Sequence, residues 1–223
     1  MPNTRPRIAL IHALAHSIAP VNAELDRAWP GCVRMNLLDD SLSGDLAASV
    51  AGLDEAMTAR FVALVDYAVS TGVRGILFTC AAFGPCIDAV ARRWPDVPVL
   101  KPNEAMIADA ARFGRRIGLV ASFAPTLATM PAEFPADVTV LPMLADGALD
   151  ALTLGDAPLH DRLVVGAARR VAAQGCDAVA LAQFSLARAA AEVERAVRVP
   201  VLTAVGSAVR LLRERVEKAG AGR

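Results

Sequence analysis

Two stretches of this chain share one pattern, and this internal repeat constrains the fold more than any other feature of the sequence. Residues 72–88 read GVRGILFTCAAFGPCID, and residues 175–188 read GCDAVALAQFSLAR. Each stretch contains a glycine, a short apolar run typical of a buried strand, and a loop of small residues that leads towards a helix. When the stretches are superimposed, Gly72 matches Gly175, and Cys80 matches Gln183, which lies 103 residues further on. One copy therefore carries a thiol where the other carries an amide.

The repeat extends along most of the chain. RIALIH at 7–12 returns as RIGLVA at 116–121, and VPVL at 97–100 returns at 199–202. The pattern predicts strands at 8–13, 33–38, 75–79, 97–100, 116–121, 138–144, 178–182 and 199–202. It predicts helices at 17–28, 54–70, 85–94, 104–112, 156–174 and 207–218, with a short helix or ordered loop at 42–51.

Strands that alternate with helices predict an α/β fold built on parallel sheets covered on both faces. We expect two pseudo-symmetric lobes, each a four-stranded parallel sheet flanked by helices, with an active-site cleft between them. The first lobe would comprise residues 1–101 and 204–223, and the second residues 102–203. Ligands of such sheets bind beyond the carboxyl ends of the strands, which places the expected site at loops near His12, Asp40, Cys80, Ser122 and Gln183.

Charge and composition argue against several classes of partner. Lys and Arg together number 23, as do Asp and Glu, so the net charge is zero and a basic face for nucleic acid is not expected. The longest apolar runs are much shorter than the roughly 20 residues that span a bilayer. We therefore expect no membrane partner, and a cytoplasmic protein. The four cysteines show neither a CxxC motif nor zinc-ligand spacing, which predicts free thiols and no metal site.

The repeated order of these motifs resembles the aspartate/glutamate/hydantoin racemase superfamily over nearly the whole chain. No single motif is specific to that superfamily. The motifs that carry the resemblance are IALIH at 8–12, LDDS at 38–41, FTC at 78–80, IGLVAS at 117–122 and the two VPVL strands.

The resemblance implies a cofactor-independent enzyme that transfers a proton at the carbon next to a carboxylate, with a small carboxylate as substrate and a homodimer as the assembly. Racemases of this superfamily use two cysteines, one from each lobe. Cys80 matches the first, but Gln183 stands in place of the second, and an amide cannot exchange protons as a thiol does. A racemase is the family default, whereas Gln183 favours a decarboxylase or isomerase with one catalytic thiol. The alternative is a catalytically inactive carboxylate-binding protein of the same fold.

Cys80 is the predicted catalytic residue, and we expect the amino terminus of the following helix to lower the pKa of its thiol. The alternative interpretation is a small buried hydrophobic residue. Gln183 and Ser185 are predicted hydrogen-bond donors to a carboxylate or enediolate, although Ser185 could simply cap a helix. The remaining predicted substrate-binding residues lie in the same strand-end loops: His12, Asp40, Ser41, Thr79, Ala81, Ala82, Ser122, Phe123 and Phe184.

Several of these residues also have a purely structural interpretation. His12 could be a core histidine whose ring nitrogens are hydrogen-bonded by the backbone, and Asp40 with Ser41 could be a solvated loop. Among the other chemically active side chains, His16 and His160 are interpreted as surface or capping residues, and Cys32, Cys86 and Cys176 as core residues.

A flavodoxin-like nucleotide-binding protein would need a phosphate loop, and the sequence shows no GxGxxG or other glycine-rich motif of that kind.

Overall fold

A computed structural model describes residues 5–50 and 52–221 of the chain. The chain divides into two compact units, one formed by Met1–Pro102 with Ala208–Arg223 and the other by Asn103–Ser207. Each unit contains one four-stranded parallel sheet flanked by helices, so the predicted α/β class is confirmed. The lobe boundaries expected from the sequence stay a prediction.

The two sheets have the same strand order. Sheet one runs β2-β1-β3-β4 and sheet two runs β6-β5-β7-β8, with every neighbouring pair parallel. The strands of the described residues are β1 Arg7–His12, β2 Val33–Leu38, β3 Gly75–Phe78, β4 Val99–Leu100, β5 Arg116–Ala121, β6 Thr139–Leu144, β7 Ala178–Leu181 and β8 Val201–Thr203. The central strands β3 and β7 are buried at every position, as expected for parallel strands covered on both faces.

The helices fill the connections between strands, as parallel pairing requires. They are α1 Ile18–Ala28, α2 Ser41–Ala48, α3 Glu55–Ser70, α4 Gly84–Arg93, α5 Glu104–Phe113, α6 Ala124–Thr129, α7 Ala148–Thr153, α8 Ala157–Ala172, α9 Ala190–Ala196 and α10 Ala204–Ala221. Short 3₁₀ turns occupy Ala15–Ser17, Ala81–Phe83, Met130–Glu133 and Phe184–Ala189. Among helices within the described ranges, none combines the length and the hydropathy that crossing a bilayer requires.

The structure differs from the sequence prediction at the ends of elements and in three short helices, α6, α7 and α9, for which the sequence prediction gave no range. The VPVL segments contribute strand only from Val99 and from Val201. Pro98 and Pro200 lack an N–H to donate, although each carbonyl still accepts a bond from the neighbouring strand. The segment expected as a short helix or ordered loop at 42–51 is helical from Ser41 to Ala48, and residue 51 lies outside the described residues.

The internal repeat is visible in the backbone as well as in the sequence. Gly72 and Gly175, which follow α3 and α8, both have a φ of +78°. A residue with a Cβ is strained in this left-handed region, so both copies need glycine here. The side-chain carboxylates of Asp54 and Asp156 likewise cap α3 and α8 at matched positions. The two units are therefore variations on one folding pattern.

Candidate functional site

Cys80 and Gln183 occupy equivalent places in the two units. Each stands two residues after its central strand, in extended backbone, with φ/ψ of −126°/123° for Cys80 and −124°/147° for Gln183. Each is then followed at once by a 3₁₀ turn. The match between these residues in the sequence is thus reproduced in the local backbone geometry.

Three aromatic side chains hold the Cys80 loop against the core of its unit. Phe78 precedes the loop, Phe83 ends it, and both rings contact Phe61 of α3, at centroid distances of 5.4 and 4.9 Å. All three rings are almost fully buried. Aromatic pairs at such distances stabilise the folded state by more than the burial of their apolar area accounts for. The loop that carries the thiol is therefore fixed on both sides by packing.

The expectation that a helix amino terminus lowers the pKa of Cys80 is wrong. Burial raises the pKa of the half-buried Cys80 thiol, and the nearby backbone N–H of Ala82 opposes this only in part. The first helical residue after the loop is Gly84, and a 3₁₀ turn separates it from Cys80. Because a helix terminus acts only within about its first turn, burial decides the sign. At neutral pH, Cys80 is therefore a protonated thiol.

His12 is fully buried and lies in a polar cluster beside Thr79. Its Nδ1 is 2.9 Å from Ser17 Oγ and 3.0 Å from Thr79 Oγ1, and its Nε2 is 3.0 Å from Asn36 Oδ1. Ser17 Oγ is also 2.8 Å from Thr79 Oγ1 and donates to the Leu14 carbonyl. Burial lowers the pKa of His12, while the bond to Asn36 opposes the shift. His12 is therefore a neutral core histidine whose two ring nitrogens both have partners.

Gln183 has its amide orientation fixed by Ser122. Gln183 Oε1 accepts from the Ser122 N–H at 2.6 Å and from the Ser122 hydroxyl at 3.0 Å. A backbone N–H can only donate, so the side-chain atom that faces it must be the amide oxygen. The NH₂ group then points away from Ser122, and it offers two donors where the first unit has a thiol.

The loop after β2 is braced by Arg60 of α3. Arg60 pairs with Asp39 at 2.7 Å and with Asp45 at 2.5 Å, and it also donates to Ser41 Oγ at 2.6 Å. Burial would raise the pKa of Asp39, but the bonds from Ser41 and Arg60 outweigh it and hold that pKa below its usual value. Ser41, the first residue of α2, is thus hydrogen-bonded to Arg60 and Asp39, whereas the neighbouring Asp40 is exposed.

The other predicted site residues differ in how far they reach the surface. Ala81 and Ala82 are exposed, and the Phe123 side chain is 47% exposed, whereas Phe184 is buried. Ser185 lies inside the 3₁₀ turn of its unit, and the residue that precedes α9 is Ala189, so Ser185 is not the cap of that helix. The structure thus brings together His12 and Thr79, the residue before Cys80, in one unit, and Ser122 and Gln183 in the other.

Two interpretations of residues outside the site need correction. His160 is fully buried rather than exposed, with Nδ1 2.7 Å from Asp161, which also pairs with Arg188. Its position on α8, four residues before the buried Val164, was the signal that could have shown this. Cys32 is half-buried, whereas Cys86 and Cys176 are core residues as expected.

Sequence reasoning missed three residues that contact predicted site residues: Ser17, Asn36 and Arg60. Ser17 and Asn36 bond His12 from 5 and 24 residues away, and Arg60 reaches Asp39 from 21 residues away. For Asn36 the only available signal was its place two residues before the end of β2, on the side of the strand opposite Met35 and Leu37.

Comparisons with solved structures find the same fold in several known proteins. The chain is similar to allantoin racemase from Klebsiella pneumoniae, with 21% identity and a TM-score of 0.72 over 96% of this chain and 88% of that one. It is similar to Picrophilus torridus aspartate racemase, with 11% identity and a TM-score of 0.69 over 96% and 94% of the two chains. A variant of arylmalonate decarboxylase in its sulfate-associated form gives 20% identity and a TM-score of 0.65 over 98% and 95%.

These similarities concern the fold. No curated protein matches the sequence. The sequence does match the Asp/Glu/Hydantoin racemase family over residues 20–212, which is most of its length. This chain therefore belongs to the Asp/Glu/hydantoin racemase family.

Proposed function

We propose that this protein is a cofactor-independent isomerase or lyase that acts on a small carboxylate, by proton transfer at the carbon next to the carboxyl group. Cys80 is the catalytic residue. The observation that carries the proposal is a half-buried thiol at the carboxyl end of β3, kept protonated by burial, in a chain of this family. The carboxyl ends of parallel strands are where such folds bind their ligands.

The raised pKa of Cys80 favours an acid over a base. A racemase that begins by removing a proton needs a thiolate, whereas a thiol can donate a proton directly. In a decarboxylation, the electrons of the broken C–C bond pass to the neighbouring carbon as CO₂ leaves. The Cys80 thiol then protonates that carbon, and the resulting thiolate regains its proton from water.

Gln183 supports a reaction with one catalytic thiol. Its amide acts neither as an acid nor as a base at neutral pH, so the two-thiol exchange of a racemase is not favoured. Its NH₂ donors, fixed in direction by Ser122, suit the negative charge that develops on an enediolate. The N–H groups of Ala81, Ala82 and Phe184 are further candidate donors.

The same replacement favours a second candidate function, a carboxylate-binding protein without catalysis. A pair of fixed amide donors binds an anion whether or not a reaction follows. The homodimer and the cytoplasmic location expected from the sequence stay predictions.

The proposed function is tested by incubating the protein in D₂O with amino acids, hydantoins and substituted malonates. Deuterium incorporation at the carbon next to the carboxyl group, or release of CO₂, is expected with at least one class. Incorporation into a single stereoisomer would indicate delivery of the proton from one side only. Binding by calorimetry without either reaction would favour the carboxylate-binding alternative.

We expect Gln183→Glu to weaken substrate binding strongly. The new carboxylate still accepts from Ser122, but it replaces two donors with a negative charge that repels the substrate carboxylate. Loss of a hydrogen bond to a charged group costs about 1.5–3 kcal/mol, which is roughly a tenfold to hundredfold rise in KM, or in Kd for a ligand that only binds. Gln174→Glu is the matched control, since it adds the same charge at an exposed position of the same unit. Equal affinity in the Gln183 and Gln174 variants would remove Gln183 from the site.

A further inference from the structure

The buried polar cluster of His12, Ser17 and Thr79 has no counterpart in the second unit. Thr79 N–H donates to the Ile11 carbonyl at 3.0 Å, and Ala182 N–H donates to the Val120 carbonyl at 2.9 Å, so Thr79 and Ala182 are equivalent. His12 ends β1 as Ala121 ends β5. The second unit thus forms the same sheet with two alanines in place of the histidine and the threonine.

This contrast indicates that the fold does not require the cluster. Burying an imidazole and two hydroxyls costs free energy that only complete hydrogen bonding offsets. Alanines avoid that cost, and the second unit shows that they are compatible with the same register. The cluster is found in the unit whose strand end leads into the thiol. Its position therefore points to a role at Cys80.

The hydrogen bonds run in a continuous path from β2 to the residue before Cys80. With Asn36 Oδ1 facing Nε2, the neutral ring carries its proton on Nε2, and Nδ1 accepts. The Ser17 hydroxyl donates to the Leu14 carbonyl, so the Thr79 hydroxyl, 3.0 Å from Nδ1 and 2.8 Å from Ser17 Oγ, has one proton to donate towards these two acceptors. The direction of the Thr79 hydroxyl is therefore set by acceptor atoms on His12 and Ser17.

We propose that His12 is a positioning residue for Cys80, acting through the Thr79 hydroxyl to hold the thiol-bearing loop in place. The role of Cys80 rests on the proposed function, but the positioning itself does not. A fixed Thr79 keeps Cys80 in its extended backbone conformation, with the backbone N–H of Ala82 near the sulfur. Side chains that hold a reactive group in this way are themselves locked by hydrogen bonds.

The test measures alkylation of Cys80 by iodoacetamide at pH 8 in the native protein and needs no substrate. Labelling is read at each cysteine by peptide mass spectrometry. Half-buried Cys32 serves as the internal reference, and buried Cys86 reports any unfolding. Failure of the substrate panel would therefore leave this experiment unaffected, and the reverse also holds.

We expect Thr79→Val to slow Cys80 labelling about threefold or more relative to Cys32, because loosening the loop weakens the Ala82 N–H bond that stabilises the thiolate. Thr79→Ser keeps the hydroxyl and should restore the rate. His12→Asn can place an amide oxygen near the position of Nδ1 and should retain the rate, whereas His12→Gln reaches the position of Nε2 and should not.

An unchanged or faster rate in Thr79→Val, or equal rates in the valine and serine variants, would overturn the proposal. Equal rates in His12→Asn and His12→Gln would show that Nδ1 has no special part and would also overturn it. If a variant exposes Cys86, Ser17→Ala replaces it. That change removes one hydroxyl, which contacts both His12 Nδ1 and Thr79 Oγ1, and the same threefold slowing is expected.

Discussion

Replacing Cys80 with alanine is expected to reduce turnover by at least about a thousandfold, the upper part of the range for loss of a general acid. The sulfur is the only atom of this side chain that can carry a proton, and alanine leaves the loop backbone free to keep its conformation. The measurement is the initial rate of deuterium incorporation or CO₂ release with the best substrate of the panel. Cys80→Ser should lose nearly as much, since a hydroxyl is a far weaker acid than a thiol.

Cys32→Ala is the matched control for this experiment. Cys32 is half-buried in the same unit, and burial raises the pKa of its thiol as it does for Cys80. The control should turn over at a rate within about twofold of the unaltered protein. Cys32 precedes the amino end of β2, whereas Cys80 follows the carboxyl end of β3, so the two thiols lie at opposite edges of the parallel sheet. Turnover by Cys80→Ala within tenfold of the unaltered rate would rule out the sulfur as the proton donor.

Phe61→Ala is expected to lower the free energy of unfolding by about 3–5 kcal/mol, as large-to-small changes of buried aromatic residues do. The Phe61 side chain is 2% exposed and contacts the rings on both sides of the Cys80 loop. The loss combines the apolar area no longer buried with the cavity left between Phe78 and Phe83. Urea denaturation of the full chain measures it.

Tyr67→Ala, on the same helix, provides the comparison. The Tyr67 side chain is 58% exposed, so its removal should change stability by no more than about 0.5 kcal/mol. A Phe61 effect below about 1 kcal/mol would mean that the aromatic contacts do not hold the loop.

The sequence was sufficient to predict the sheets because the signals for them are local and occur twice. The short apolar runs at β3 and β7 and the glycines before them identify the central strands in both copies. The matched offset then pairs Cys80 with Gln183 without any knowledge of three-dimensional contacts. A repeated pattern is stronger evidence than either copy alone, since chance resemblances do not keep the same order.

The pKa of Cys80 and the hydrogen bonds of the candidate site could not be predicted from the sequence in this way. The pKa of Cys80 depends on how much of the sulfur is buried. Phe61, 19 residues earlier, packs against the Cys80 loop, and no residue near Cys80 in the sequence indicates this contact. The bond between Ser122 and Gln183 joins residues 61 positions apart. Both facts follow from tertiary packing, which a single sequence does not encode locally. The predicted cleft and the predicted contacts of Asp40, Ser41 and Phe123 with substrate stay predictions.

The burial that keeps Cys80 protonated also bears on its chemical durability. Peroxides attack the thiolate, and they convert it first to sulfenic acid and then to higher oxidation states that are not reversed. A cysteine whose pKa is raised presents little thiolate at neutral pH, so it reacts slowly with such oxidants. On the proposed function, the sulfur that donates the proton is thereby protected from oxidative inactivation, to which a resting thiolate would be open.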